Sequence, residues 1–399
     1  MTISIIITLC VLLLIAYLFD LSSSRTRIPS VILLVLLGWA ARQTAGLLDV
    51  HLPDLTPLLP VFGTIGLILI VLEGSLELEL NSSKTKLIGQ SFLMAFVSLL
   101  ALAFLLAYIF YRYGNGSFRD NLINLIPLSI ISSAIAIPSA RLLGKHDREF
   151  VIYESSLSDI LGVLLFNFVL LNDSVGIFSL SNFGLQLLII LIVSFAATIG
   201  LALLLNKIDH HIKFAPIILL VILIYAVSKI YHLPGLLFIL LFGLFLGNLD
   251  ELKKWKWINR LRPDELNKEV HKFKDLTMEA TFLVRSLFFL LFGYLLETTE
   301  LLNTDTLGWA LGIVGIIFLI RAILLKTMRL PLNPLLFIAP RGLITILLFF
   351  AIDPQHQLSM VNKSLIVQVI ILNALIMMAG SIFRGKTPVK TGEGLTGSH

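Results

Sequence analysis

The chain has 399 residues, of which 57% are hydrophobic and only 14% charged, with a mean hydropathy of +0.95. Water-soluble domains carry about 25% charged residues, so this composition excludes a soluble bundle with wet helix faces. The net charge of +5 does not require a nucleic-acid partner, because basic cytoplasmic loops account for it, and the single Cys10 excludes a disulfide framework within one chain.

Taken in chain order, apolar runs of about 15–25 residues fall at 2–19, 29–46, 55–73, 87–111, 121–142, 150–171, 183–205, 214–231, 233–248, 276–297, 307–328, 334–352 and 363–383, which is thirteen. The first run has no basic stretch ahead of it and no small-residue cleavage site, so it reads as a span rather than a signal peptide. Only His232, Leu233 and Pro234 separate the eighth run from the ninth. Cytoplasmic loops accumulate Lys and Arg, and thirteen spans put most of these residues on one side. Arg42, Arg112, Arg119, Lys229 and Lys363 fall on the other, while Arg285, Arg321 and Arg341 lie inside spans. The expected topology is therefore a multi-pass protein of a bacterial-type inner membrane, N-terminus outside and C-terminus cytoplasmic. His210 and His211 fall in a short cytoplasmic loop. The connector 249–275 combines many Lys/Arg with two Trp, as an amphipathic cytoplasmic linker helix would. The tail 385–399 reads as disordered.

The second run begins with Pro29 and the ninth with Pro234, and each places a glycine nine residues later, Gly38 and Gly243. The third run ends around Gly74 and the tenth around Gly293. Members of each pair are seven spans apart and so cross in opposite directions, the trace of an inverted-topology repeat. The same offset pairs the fifth run with the twelfth, interrupted by Pro138 and Pro340. Proline removes a backbone donor, and the freed polar groups must then face protein or a water-filled cavity. Matching interruptions point to a binding site near mid-membrane.

A charge inside the bilayer costs at least about 2.5 kcal/mol, so the ionisable residues within spans form a short list. Asp159 stands first, near the middle of the sixth run in YESSLSDILG. Ser155 lies one turn earlier on its face, and Glu154 and Ser158 form a second such pair. A carboxylate away from water can hold a proton or exchange it for a small hard cation, which is the chemistry of antiport; a structural bridge to Arg285 or Arg321 is the competing reading. Glu73 closes the third span as a cavity-lining or merely interfacial carboxylate. Arg341, next to Pro340, can neutralise Glu154 or the C-terminal end of a half-helix. Arg285 requires a buried carboxylate, and Arg321, late in its span, reads as snorkelling. GxSxG, HExxH and Walker patterns are absent, so neither an enzyme nor an ATP-driven pump is expected, and no cofactor.

Three motifs resemble the monovalent cation/proton antiporter superfamily, in particular its sodium/proton exchanger (NhaP/NHE-like) branch. VLEGSLELEL at Val71 resembles that branch's FEGGLxLDL pattern, ESSLSD at Glu154 its ESLLND pattern, and APRGLITILLF at Ala339 its Arg-Gly segment. The resemblance implies an all-α polytopic fold of about thirteen transmembrane helices, with two inverted repeats whose Pro-broken helices cross at mid-membrane. It further implies that Asp159 is the exchanging carboxylate, Ser155 a ligand of a monovalent metal cation there, and Glu73 a cavity-lining residue. Glu154 and Arg341 become a structural ion pair. A homodimer is implied, with scaffold helices at about 1–80 and 214–297 and mobile core helices at about 87–171 and 307–383, all within one unit at 1–384. Two departures stand out: the family's Thr-Asp-Pro is here Ala136-Ile137-Pro138, with Ser132 and Ser133 nearby to compensate, and its Asn-Asp is Ser158-Asp159. The expected function is exchange of Na+ or K+ for H+ at one carboxylate, electroneutral and elevator-like, for pH homeostasis. An organic-solute symporter or a K+ efflux system on the same scaffold is the alternative.

Overall fold

The computed structural model describes residues 2–383 apart from 27, 48–53, 79–81, 115, 142, 173–176, 208–213, 232, 234 and 253–262. Those residues fold into helices with no strand among them: α1 (Thr2–Thr26), α2 (Ser30–Leu47), α3 (Leu58–Glu77), α4 (Thr85–Tyr113), α5 (Phe118–Ser129), α6 (Ser133–Ala140), α7 (Lys145–Leu171), α8 (Ile177–Lys207), α9 (Phe214–Ile230), α10 (Gly235–Gly247), the short α11 (Leu249–Leu252), α12 (Pro263–Tyr294), the short α13 (Thr298–Leu301), α14 (Thr304–Thr327), the short α15 (Leu332–Leu335), α16 (Leu343–Phe350) and α17 (Lys363–Phe383). Among the described residues nine helices are long and apolar enough to cross a membrane, α5 and α6 counting together, and three further apolar helices are shorter. The all-helical, multi-pass expectation holds; the count of thirteen is not confirmed at that level. His210, His211 and the tail 385–399 lie outside the described residues, as does Pro234.

Of the connector 249–275, the described residues lie in α11 and in α12, which is described from Pro263 and runs unbroken into the tenth apolar run.

Helix pairing follows the repeat. Gly38 of α2 faces α12, where an added Cβ would lie 2.8 Å from the amide nitrogen of Tyr294 and in collision with the Leu290 carbonyl. Gly293 of α12 faces α2 in return, with Val35 backbone in the way of any side chain. On the other side of the molecule, Gly243 of α10 lies against Ser75 of α3, and Gly247 against the Leu76 carbonyl, 2.8 Å from where a Cβ would stand. Exchanging each span for its counterpart seven spans away converts the α2–α12 contact into the α10–α3 contact. Three of the glycines that mark the repeat, Gly38, Gly243 and Gly293, therefore sit where its helices approach too closely for a side chain, packing that membrane helices achieve with small residues.

The fifth and twelfth runs are both broken, the twelfth at its proline and the fifth several residues before its own. The fifth breaks at residues 130–132, between α5 and α6, and Pro138 sits inside α6. The α5 helix starts with a capping box, Ser117 Oγ accepting from the Asp120 N–H at 3.0 Å while Asp120 accepts from the Ser117 N–H at 3.3 Å. Pro340 lies in the extended stretch before α16.

The glycine crossings yield a prediction. Gly293→Ala should destabilise the protein by about 1–3 kcal/mol, the usual cost of overpacking, whereas Gly312→Ala in α14, where nothing lies within 4 Å of an added Cβ, should be neutral. Thermal unfolding in detergent measures both, and equal melting temperatures for the two variants would contradict the packing described.

Candidate functional site

The site is where the two broken segments meet. Three successive amide groups leave the helical ladder between α5 and α6, and each has a partner from another segment. The Ile131 N–H donates to Ser158 Oγ at 3.0 Å, the Ser132 N–H to the Pro340 carbonyl at 2.9 Å, and the Ser133 N–H to Asp159 Oδ2 at 3.3 Å. An amide left without a partner in a dry interior costs several kcal/mol, so these bonds make the break possible. They also fix the approach of the two broken segments to each other and to α7. Gly342 permits that approach: a Cβ there would sit 3.1 Å from Ser132 Oγ and against Ile135.

Asp159 is buried on α7, 1% exposed. One carboxylate oxygen, Oδ2, accepts both the Ser133 amide and the Ser133 hydroxyl. Ser133 is the first residue of α6, so the carboxylate lies at the positive end of that half-helix. The other oxygen, Oδ1, has no hydrogen-bond partner among the described residues. Two further buried hydroxyls share that condition close to the broken segments: Ser156 on α7 and Thr345 in the first turn of α16.

At the carbonyl end of the first half of each broken segment stands an arginine from another part of the chain. Arg341 donates from Nε to the Leu128 carbonyl of α5 at 2.8 Å and from a terminal nitrogen to the Ala339 carbonyl at 2.7 Å. Arg321 of α14 donates from Nε to the Leu335 carbonyl of α15 at 2.7 Å, and its two terminal nitrogens grip Glu154 at 2.7 and 3.0 Å. Both guanidinium groups are buried, so each satisfies carbonyls that have no continuing helix and offsets the negative end of the helical turn.

These distances revise part of the expected site. Glu154 pairs with Arg321, not Arg341; Arg341 takes the alternative role, at the end of a half-helix. The reason is geometric: Arg321 does not snorkel but stays 2% exposed, and its planar fork matches a carboxylate in two-point fashion, whereas the donors of Arg341 are directed to carbonyls of the broken segments. Ser155 does not bond Asp159. Its hydroxyl donates to the Val151 carbonyl of its own helix at 2.7 Å, and Ser133 from α6 occupies the carboxylate instead. Ser158 anchors the broken backbone rather than Glu154. Glu73 stands in a different group: its charged neighbours are Arg285, Glu77 and Arg141, with the Thr281 hydroxyl beside it. Arg285 is buried between Glu73 and Asp20 of α1, the latter at 3.8 Å. Arg321 stands among the charges inside spans, but its partner Glu154 is not legible there; Ser156, Thr345 and Asp20 carry no distinguishing signal in the sequence beyond being polar in or beside an apolar run, and only folding selects them.

Replacing one member of the Glu154–Arg321 pair strands the other charge in a dry core, at a cost of about 3–5 kcal/mol. We therefore expect Arg321→Met to lower the melting temperature strongly and Glu154→Leu/Arg321→Met together to recover most of the loss. A double variant no better than the single one would show that the pair does not act as a unit.

The family model described as "Sodium/hydrogen exchanger, transmembrane" matches residues 10–384. Two solved structures of the sodium proton antiporter MjNhaP1 from Methanocaldococcus jannaschii are similar to the chain. The first, at pH 8, superposes with a TM-score of 0.68 at 18% identity, covering 95% of this chain and 99% of that one. The second, from electron microscopy, gives 0.64 at 19% identity, covering 96% and 95%. At such identity the likeness speaks to the fold, which is shared over nearly the full length of both chains. No curated protein sequence matches.

Proposed function

The chain belongs to the sodium/hydrogen exchanger family and is a multi-pass membrane cation/proton exchanger, not an enzyme; from that premise we propose that Asp159 is the group that carries the proton and the cation in turn. The observation that supports this most is the condition of its carboxylate: buried at the crossing, held through one oxygen by Ser133, with the other oxygen unpartnered. The first contact orients the group and the second oxygen is left for a ligand. A proton and a monovalent cation compete for it, so neither can be bound while the other is, and exchange follows from competition.

The coupling is one proton per cation and therefore electroneutral, because the family's second carboxylate is here Ile137 and Asp159 is the one carboxylate bonded to the broken segments' amides among the described residues. Charge balance supports this: the neighbouring Glu154 is paired two-point with Arg321. Na+ and K+ are both candidate substrates. Access alternates by movement of α4–α7 with α14–α17 against α1–α3 with α9–α12, within a homodimer of a bacterial-type inner membrane, N-terminus outside and C-terminus cytoplasmic. The glycine crossings of α2 with α12 and α10 with α3 support a rigid scaffold, since close backbone packing resists sliding.

The test is cation-induced proton movement in proteoliposomes with an internal pH dye, adding Na+, K+ or Li+. Wild type should respond and Asp159→Asn should not. In wild type the apparent KM for the cation should fall as pH rises, by up to about tenfold per pH unit while the site is mostly protonated, because each unit removes nine-tenths of the competing proton. Full activity in Asp159→Asn would overturn the assignment, and a pH-independent KM would exclude direct competition.

A further inference from the structure

From the unpartnered oxygens we infer that the Ser156 hydroxyl is an additional ligand of the transported cation and sets which cation is preferred. This rests on the reading that Asp159 carries the ion, and extends it to a residue that neither the motifs nor the charge pattern singles out.

The placement comes from three contacts that agree. Ser133 and Ile137 are one turn apart on α6, and Ser156 and Asp159 one turn apart on α7, so each pair shares a helix face. Ser133 bonds Asp159. One turn further along both helices, Ile137 Cδ1 and Ser156 Oγ both lie 3.3 Å from the position of a Cβ on Gly74 of α3. The two faces therefore oppose each other over their length, with Asp159 against Ser133 at one level and Ser156 beside Ile137 at the next. The absence of a side chain at Gly74 leaves room between α3, α6 and α7.

Ser156 is 1% exposed, and a buried hydroxyl without a partner forfeits a hydrogen bond. Serine in a helix ordinarily escapes by donating to the carbonyl one turn back, as Ser155 and Ser129 do here. Ser156 does not, and like Oδ1 of Asp159, one turn along the same helix face, its oxygen is unpartnered among the described residues. A hard cation stripped of water requires several oxygen ligands. The α6 face supplies few, since Ala136 and Ile137 have none in their side chains and Ser133 is already engaged with Asp159. An apolar residue stands at this place in the ESLLND pattern, so the serine is an oxygen this chain adds where others are missing. Its dipole is weaker than a carboxylate's, so losing it should weaken cation binding without touching the proton held at Asp159.

The experiment uses the full chain in proteoliposomes, with Na+, K+ and Li+ as the probes, and compares wild type, Asp159→Asn, Ser156→Ala, Ser156→Cys and Ser156→Thr. Cation-dependent elevation of the melting temperature in detergent provides a second, transport-free readout. Ser156→Ala should raise the KM of the preferred cation about tenfold, the effect of losing one ligand, with kcat within about twofold, and should change the ratio of KM values among the three ions. Ser156→Cys, of similar volume but with a poor ligand for a hard cation, should follow Ala and carries the test if Ala does not fold. Ser156→Thr keeps the hydroxyl and should stay within about twofold of wild type. An unchanged KM and ion order in the Ala or Cys variant, while Asp159→Asn is inactive, would overturn the role of Ser156 and leave that of Asp159 standing. Equal losses in Thr and Ala would also overturn it, as a packing effect. Activity in Asp159→Asn would instead remove the reading on which the inference rests.

Discussion

The bond between the Ser132 amide and the Pro340 carbonyl is the hinge of this structure, because it joins two stretches of backbone that have left their helices in the interior of a membrane protein. Each such stretch exposes donors and acceptors that lipid cannot satisfy, and each solves the problem with groups from elsewhere in the chain. On the donor side, Ser158, Pro340 and Asp159 receive three consecutive amides. On the acceptor side, Arg341 and Arg321 cover the carbonyls of Leu128 and Leu335. The crossing is thus a mutual satisfaction of polar groups, and α7 takes part through both Ser158 and Asp159.

This arrangement explains why a carboxylate is tolerated at Asp159. It accepts from the first residue of a half-helix, where backbone donors converge, and so has a local source of positive potential without a full countercharge. A guanidinium bonded to it would hold it permanently as a carboxylate and oppose reprotonation. The buried arginines are occupied instead: Arg321 with Glu154 and Leu335, Arg341 with Leu128 and Ala339, and Arg285 between Asp20 and Glu73. Glu154, one turn and a residue before Asp159 on the same helix, spends its charge on Arg321. Two carboxylates of one helix thus stand in different surroundings, Glu154 gripped by a guanidinium and Asp159 held by Ser133 through one oxygen.

The repeat gives the molecule its rigidity as well as its crossing. Gly38 with Gly293, and Gly243 and Gly247 with α3, bring helix backbones to distances where no Cβ fits. Such contacts hold two orientations of the same pairing within one chain. The core elements obey the same exchange: α4 packs on α7, and α14 on α17.

Much of this was legible in the sequence. Long apolar runs with little charge admit only membrane helices, the seven-span offset of Pro and Gly marks the repeat, and the isolation of Asp159 in its run singles it out, since a charge in lipid must have a task or a partner. The broken segments were expected from Pro138 and Pro340, yet the fifth run breaks at 130–132 because partners for its amides stand there, and Pro138 continues a helix. What only the tertiary structure decided was who meets whom. Glu154 could reach an arginine on either of two other spans, and Arg321 prevails; Asp159 was paired with Ser155 by helical spacing, but Ser155 turns to its own backbone and Ser133 arrives from α6. Periodicity specifies which residues share a face of one helix. It carries no information on the distance between faces of different helices, and hydrogen bonds and ion pairs are decided by that distance.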